Sequence, residues 1–182
     1  MRVLLCTDGA DDARQAAAFI GLFKPPTEPE VRLLAVAESG RHPEHLERSL
    51  DMLQSVLEDH GVHPDRVTRT GHLSDEILEE AKEGHYDLVA IGAPVRQGLV
   101  MPRLTSTASR LSHHLRAPLL IARNVPSSLH RALICTSGEG PAADTLRHGG
   151  SLVKLIDSPV SVVHVMSQVT FNLHGPLEAL TM

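Results

Sequence analysis

The chain has 182 residues, 42% of them hydrophobic and 21% charged, with a formal net charge of −5. That length admits one α/β domain with a remainder, and that balance excludes a disordered chain. One tyrosine, three phenylalanines and no tryptophan leave too few platforms for stacking bases, and the negative charge gives no footprint for a phosphate backbone, so nucleic acid is excluded as a partner. The core must be built from Leu, Val, Ile and Ala. Two cysteines, Cys6 and Cys135, sit inside apolar runs. They make no disulfide scaffold and read as buried thiols in a reducing compartment. No apolar stretch approaches the roughly 20 residues that span a bilayer, and the N-terminus enters a strand without a signal-peptide core. A cytoplasmic protein with no membrane partner is expected.

Residues 3–7 are a continuous apolar run ending at Asp8-Gly9, the pattern of a strand buried on both faces. Residues 11–23 carry apolar positions at helical spacing, with Asp11 or Asp12 as N-cap and Pro25-Pro26 as the stop. Residues 31–37 are a second apolar run. Residues 43–60 form an amphipathic helix with Leu46, Leu50, Leu53 and Leu57 on one face, closed by Gly61. Residues 66–70 read as a more polar, outer strand. Ser74 is the expected N-cap of the next helix, with Asp75 and Glu76 in its first turn, Ile77, Leu78 and Ala81 on its buried face, and an end near Gly84. Residues 86–91 are a strand ended by Gly92. Beyond a loop holding Pro94, Gly98 and Pro102, residues 106–116 read as a helix and 118–122 as a last strand. This alternation predicts an α/β fold, a doubly wound open parallel sheet of five strands with helices on both faces.

Residues 125–130 form a polar, Pro-containing linker. Past it the chain repeats itself. Arg2-Val-Leu-Leu-Cys-Thr-Asp-Gly9 corresponds to Arg131-Ala-Leu-Ile-Cys-Thr-Ser-Gly138 at an offset of 129. Held without a gap, the offset gives nine identities in the 37 positions from Arg2 to Glu38, where chance gives roughly two or three. The expected organisation is a complete domain over 1–124, the linker, and an incomplete second domain over 131–182, a β-α-β half-repeat and tail.

Ligands of open parallel sheets bind beyond the C-terminal strand ends, where the strand order reverses. Asp8 lies at such an end, placed either to accept hydrogen bonds from sugar hydroxyls or simply to cap the helix that follows. The surrounding pattern is more specific. Asp87-Leu-Val-Ala-Ile-Gly92, the loop with Gly98-Leu99, Ser106 opening a helix, and Ala117-Pro-Leu-Leu-Ile-Ala-Arg123 together resemble the universal stress protein family. So do Gly71 with Asp75-Glu76-Ile77 and the opening Val3-Leu-Leu-Cys-Thr-Asp-Gly9. The resemblance covers residues 1–123 and begins again over 131–167. It implies an adenine nucleotide alpha hydrolase-like fold with strand order 3-2-1-4-5.

Nucleotide-binding members of that family carry Gly-x2-Gly-x9-Gly-Ser/Thr after the fourth strand, where glycines admit the phosphates and the helix start holds them. Here the first glycine is Gly92, the second position is Val95, the third is Thr105, and Ser106 supplies the hydroxyl, followed by Thr107. Asp8 and Val36 fall where family members contact ribose and adenine, and Cys6 replaces a common proline. The resemblance thus implies a stress-response regulator with a nucleotide site of Asp8, Val36, Gly92, Val95, Thr105, Ser106 and Thr107, a degenerate phosphate loop, and ATP or AMP as ligand. Arg96 and Arg103 are either phosphate partners or solvated. The alternative is a non-nucleotide-binding dimerisation or interaction module of the same fold; a third reading is an electron-transfer flavoprotein-like or other adenosine-binding α/β enzyme. The repeat has Ser137 in place of Asp8 and lacks the loop. Pro118, Leu119, Leu120, Ile121 and Ala122 form an apolar edge, through which the resemblance implies a homodimer.

Among twelve histidines, His42 and His45 are three apart, as are His60 and His63, but Pro43 and Gly61 interrupt the pairs; His113 and His114 are adjacent. They read as exposed side chains, with no metal site. There is no nucleophile elbow and no Walker loop. No catalytic residue is therefore assigned, and slow ATP hydrolysis is the most that is expected.

Overall fold

The apolar run at the start of the chain is a strand, β1 (Arg2–Thr7), in the computed structural model, which describes residues 1–26, 28–38, 43–94, 105–137 and 142–165. It is followed by α1 (Ala13–Gly21), β2 (Glu30–Ala37), α2 (Pro43–Glu58), β3 (Asp65–Thr70), α3 (Leu73–Gly84), β4 (Leu88–Gly92), α4 (Ser106–His114) and β5 (Leu119–Ala122). The five strands form one parallel sheet in the order β3-β2-β1-β4-β5, the expected doubly wound fold. Side chains of a strand alternate between faces, so each apolar run supplies two cores. Val3 and Leu5 join Leu33, Ala35 and the buried faces of α1 and α2. Leu4 and Cys6 join Leu34, Val36, Val89 and Ile91 beneath Ile77 of α3 and Leu111 of α4.

Two helix starts differ from the sequence expectation. Asp12 occupies the N-cap position of α1 but has helical dihedrals (φ −66°) and makes no side-chain cap bond, because the backbone is already turning there. Ser74 is not the cap of α3. The helix begins at Leu73, and the Leu73 amide donates to the Glu38 carboxylate at 3.0 Å. Ser74 is buried, 3.0 Å from His72 Nδ1, and accepts from Arg110 at 3.2 Å. Gly61 closes α2 as expected, with φ +77° and its amide donating to the Glu58 carbonyl.

After the linker come β6 (Ala132–Thr136), α5 (Ala142–Ile156) and β7 (Val160–His164), with β6 and β7 in a separate two-stranded parallel sheet. Its register repeats that of β1 and β2. Val3↔Val31 through Thr7↔Ala35 recur as Ala132↔Val160 through Thr136↔His164, an offset of 129 at every pair. Helix α5 packs Leu152, Leu155 and Ile156 against the first core, and the Lys24 amide donates to the Leu155 carbonyl at 2.6 Å. The small sheet remains open, with Leu133 61% and Val162 55% exposed. Cys6 is buried as the sequence suggested, whereas Cys135 is exposed, because the β6 face that carries it has no covering helix.

One buried charge organises the α3 side. Glu80 is 4% exposed. It accepts from Tyr86 Oη at 2.6 Å, Arg69 Nη2 at 2.6 Å and Arg32 Nη1 at 3.1 Å. Burial alone would raise its carboxyl, but the bonds from Tyr86, Arg32 and Arg69 outweigh it and hold the group below the usual carboxylate range. Burial, and then the bond to Glu80, pushes the Tyr86 phenol up to about 12. Glu80→Gln is expected to cost about 1–3 kcal/mol at neutral pH, read by urea unfolding. Because the folded pKa is lowered, the carboxylate's contribution is full above the unfolded pKa and is lost as pH falls through the folded one. The wild-type and variant stability curves should therefore converge in acid.

Candidate functional site

At the C-terminal ends of β1 and β4 the connections leave for opposite faces of the sheet, which opens a crevice between them. The Thr7-Asp8-Gly9 sequence forms one wall. Thr7 Oγ1 accepts from the Gly9 amide at 3.0 Å and lies 3.3 Å from Ser49 Oγ on α2. Asp8 Oδ1 accepts from the Ala10 amide at 3.1 Å, the two-residue pattern of an Asx turn. Gly9 sits at φ +90°, which a larger residue reaches only with strain. These bonds hold the half-buried Asp8 at the mouth of the strand. Sequence reasoning missed Ser49, although a serine beside Leu46, Leu50 and Leu53 on an apolar helix face was a readable sign.

Gly92 ends β4 and does something no other residue could. A Cβ placed there would lie 2.0 Å from the Asp12 carbonyl oxygen and 2.5 Å from the Ala13 amide nitrogen. The missing side chain lets the end of β4 touch the start of α1. Ala93 then donates its amide to the Ala122 carbonyl at 2.9 Å, which carries the pairing of β4 and β5 one residue further.

The next described element after β4 is α4. Thr105 is its N-cap, with φ −64°, and its Oγ1 accepts from the Ala108 amide at 3.1 Å. That dihedral needs no glycine, so threonine at this position supplies a cap without straining the backbone. Ser106 is exposed and Thr107 half-buried in the first turn, where backbone amides lack intrahelical partners. Neither α1 nor α4 carries an acidic residue in its first turn, whereas α2 has Glu44 and α3 has Asp75 and Glu76. Asp8 thus presents an acceptor at the end of β1, and the start of α4 presents backbone donors.

Val36, the expected adenine contact, has a fully buried side chain in the core beneath α3 and α4, so its position faces the crevice only through the main chain of β2. Val95, Arg96, Gly98, Leu99, Arg103 and His42 lie outside the described residues. The Cys6 thiol is held protonated by burial, reinforced by the Glu80 charge, and is no nucleophile. His60 Nδ1 lies 2.9 Å from the Val56 carbonyl oxygen on its own helix, and His113 and His114 are exposed at the end of α4. Among the described residues no three His, Cys, Asp or Glu side chains gather to hold a metal.

Residues 22–123, from just before β2 through β5, match the sequence pattern of the universal stress protein family. No curated protein matches the chain. Solved structures of similar fold include hypothetical protein MJ0577, 21% identical, covering 68% of this chain and 96% of that one with a TM-score of 0.58. A universal stress protein from Archaeoglobus fulgidus DSM 4304 is 18% identical with a TM-score of 0.71, and covers 90% of this chain, which spans 66% of that one. A universal stress protein in complex with cAMP is 17% identical, covering 67% of this chain and 95% of that one at a TM-score of 0.52. At these identities the likeness is one of fold. The glycine contact gives a direct test: Gly92→Ala should destabilise the protein by about 1–3 kcal/mol or more, read as a lowered urea midpoint, because backbone rather than a flexible side chain must move.

Proposed function

The chain belongs to the universal stress protein family, and from that premise we propose that it is a stress-response regulator that binds an adenine nucleotide, ATP or AMP, in the crevice between β1 and β4. The observation that carries this reading is the pairing of an acceptor with donors: a carboxylate held in a turn after β1 and a capped helix start without acidic residues at α4. Asp8 accepts from the ribose hydroxyls. The main chain at Val36 borders the adenine. The amides and hydroxyls of Ser106 and Thr107 receive phosphate, with Thr105 fixing the turn that presents them. Val95, which lies outside the described residues, stands at the second glycine position of the family's phosphate loop. A similar fold that holds cAMP supports this class of ligand. Among the described residues no side chain at the crevice is placed as a base or nucleophile, and in this reading the protein senses the nucleotide and hydrolyses it slowly at most.

The same reading divides the chain into a complete domain over 1–124, a linker at 125–130 and the opening of a second domain over 131–182. The repeated strand register supports this division. It also makes the protein a homodimer. β5 is the outermost strand of the sheet; the Pro118 and Ala122 carbonyls are taken by Val89 and Ala93, and a second copy would add along the outer edge between them, over Leu119, Leu120 and Ile121. No helix among the described residues is long and apolar enough to cross a membrane, and we place the protein in the cytoplasm. The second reading, an interaction module without nucleotide, draws on the threonine that fills a family glycine position at 105.

Isothermal titration separates the two. Saturable binding of ATP or AMP, weakened about tenfold or more in Asp8→Ala by loss of a charged acceptor, is expected; absence of heat at millimolar nucleotide would leave the interaction module. Light scattering at micromolar protein should return the mass of a dimer, and a monomer would remove the β5 interface.

A further inference from the structure

At the opposite end of the sheet, where the strands begin, a cleft of about 1020 Å³ opens between α3, α4 and the docked helix α5. Its walls are apolar: Leu78 and Ala81 from α3, Leu115 after α4, Leu88 at the start of β4, and Leu152 and Leu155 from α5. Its volume is at the upper end of the range of small-molecule sites. Its charged lining is mostly cationic, with Lys82, Arg110 and Arg116 against Asp87, and Tyr86 and Ser151 add hydroxyls. Arg110 is already engaged, with Nη2 2.5 Å from Asp75 Oδ1 and Nη1 donating to Ser74. Asp87, the acidic group of the lining, accepts from the Arg2 amide at 2.8 Å. Lys82 and Arg116 are exposed and make no hydrogen bond or ion pair among the described residues. His85, His114 and His148 stand beside them. In a chain whose net charge is −5, this lining is a local inversion of sign.

An apolar trough whose lining carries two exposed cations without a partner among the described residues suits a ligand with a long hydrocarbon body and one anionic head. We propose that this cleft binds a long-chain carboxylate, with the chain lying along Leu78, Leu115, Leu152 and Leu155 and the head between Lys82 and Arg116. Because α5 forms one wall, the ligand bridges the second segment to the first. It would strengthen a docking that otherwise rests on Leu152, Leu155, Ile156 and the bond from Lys24 to Leu155. The site is distinct from the crevice at Asp8 and does not depend on nucleotide binding there.

The test titrates the intact chain by calorimetry with dodecanoate, dodecanol and dodecyltrimethylammonium, each below its micelle concentration. Dodecanoate is expected to saturate a single site, dodecanol to bind more weakly, and the cation not to bind. Dodecanoate should also slow amide exchange in α5. The K82Q/R116Q variant changes two exposed, unpaired side chains and so keeps the fold. It should weaken dodecanoate binding about tenfold while leaving dodecanol unchanged, a split that a packing role for these residues would not produce. Failure of dodecanoate to saturate, equal binding of the cation, or undiminished dodecanoate binding in the variant overturns the proposal.

Discussion

The contact between the end of β4 and the start of α1 is the constraint around which the first unit is arranged. Backbone meets backbone there, with Gly92 against Asp12 and Ala13 and no room for a single added carbon. The contact fixes the N-terminus of α1 beside the crevice and ties the β1 exit turn to the β4 exit. The Asx turn at Asp8 is then held on a short connection between two anchored elements, which leaves its carboxylate little freedom. A site on loops gains its precision from this kind of rigid support.

The charge cluster beneath α3 works on the same sheet from the other face. Glu80 draws Arg32 from β2, Arg69 from β3 and the Tyr86 hydroxyl from the approach to β4 onto one helix. A lone buried carboxylate would be costly; with three donors it becomes a cross-link between α3, the β2 and β3 strands beneath it and the approach to β4. The most polar strand of the sheet, β3, is joined to the fold by this cluster and by its pairing with β2.

The second segment has a different economy. Two strands alone bury too little to be stable, and much of β6 and β7 stays open to solvent. What holds the segment is α5, which turns Leu152, Leu155 and Ile156 toward the first core while Gly149 allows Ile134 of β6 to sit close against its backbone. One helix thus serves two sheets, and the gap it leaves beside α3 and α4 is the cleft with the cationic lining.

Much of this was legible in the amino-acid order. Runs of aliphatic residues alternate faces every second position, so the strands, their burial and the doubly wound class follow from local pattern. The repeat at a constant offset foretold a second β-α-β whose register copies the first, because register is set by which residues are apolar. Gly92 and the residues around Asp8 stood out by motif. Other features are tertiary. The cap of α3 comes from Glu38, 35 residues away, so Ser74, locally the better choice, is drawn into a buried bond with Arg110 instead. Thr105 looked like the loss of a glycine, and only its dihedral shows that threonine is comfortable there. Cys135 matched Cys6 in sequence but is exposed, since burial depends on what covers a strand and not on the strand itself. The sequence by itself determined the periodic elements and their order, because these rest on neighbours along the chain. Which ends are capped, which charges are paired and where a cleft is left open were decided by distant segments meeting, and single-chain pattern carries no record of that.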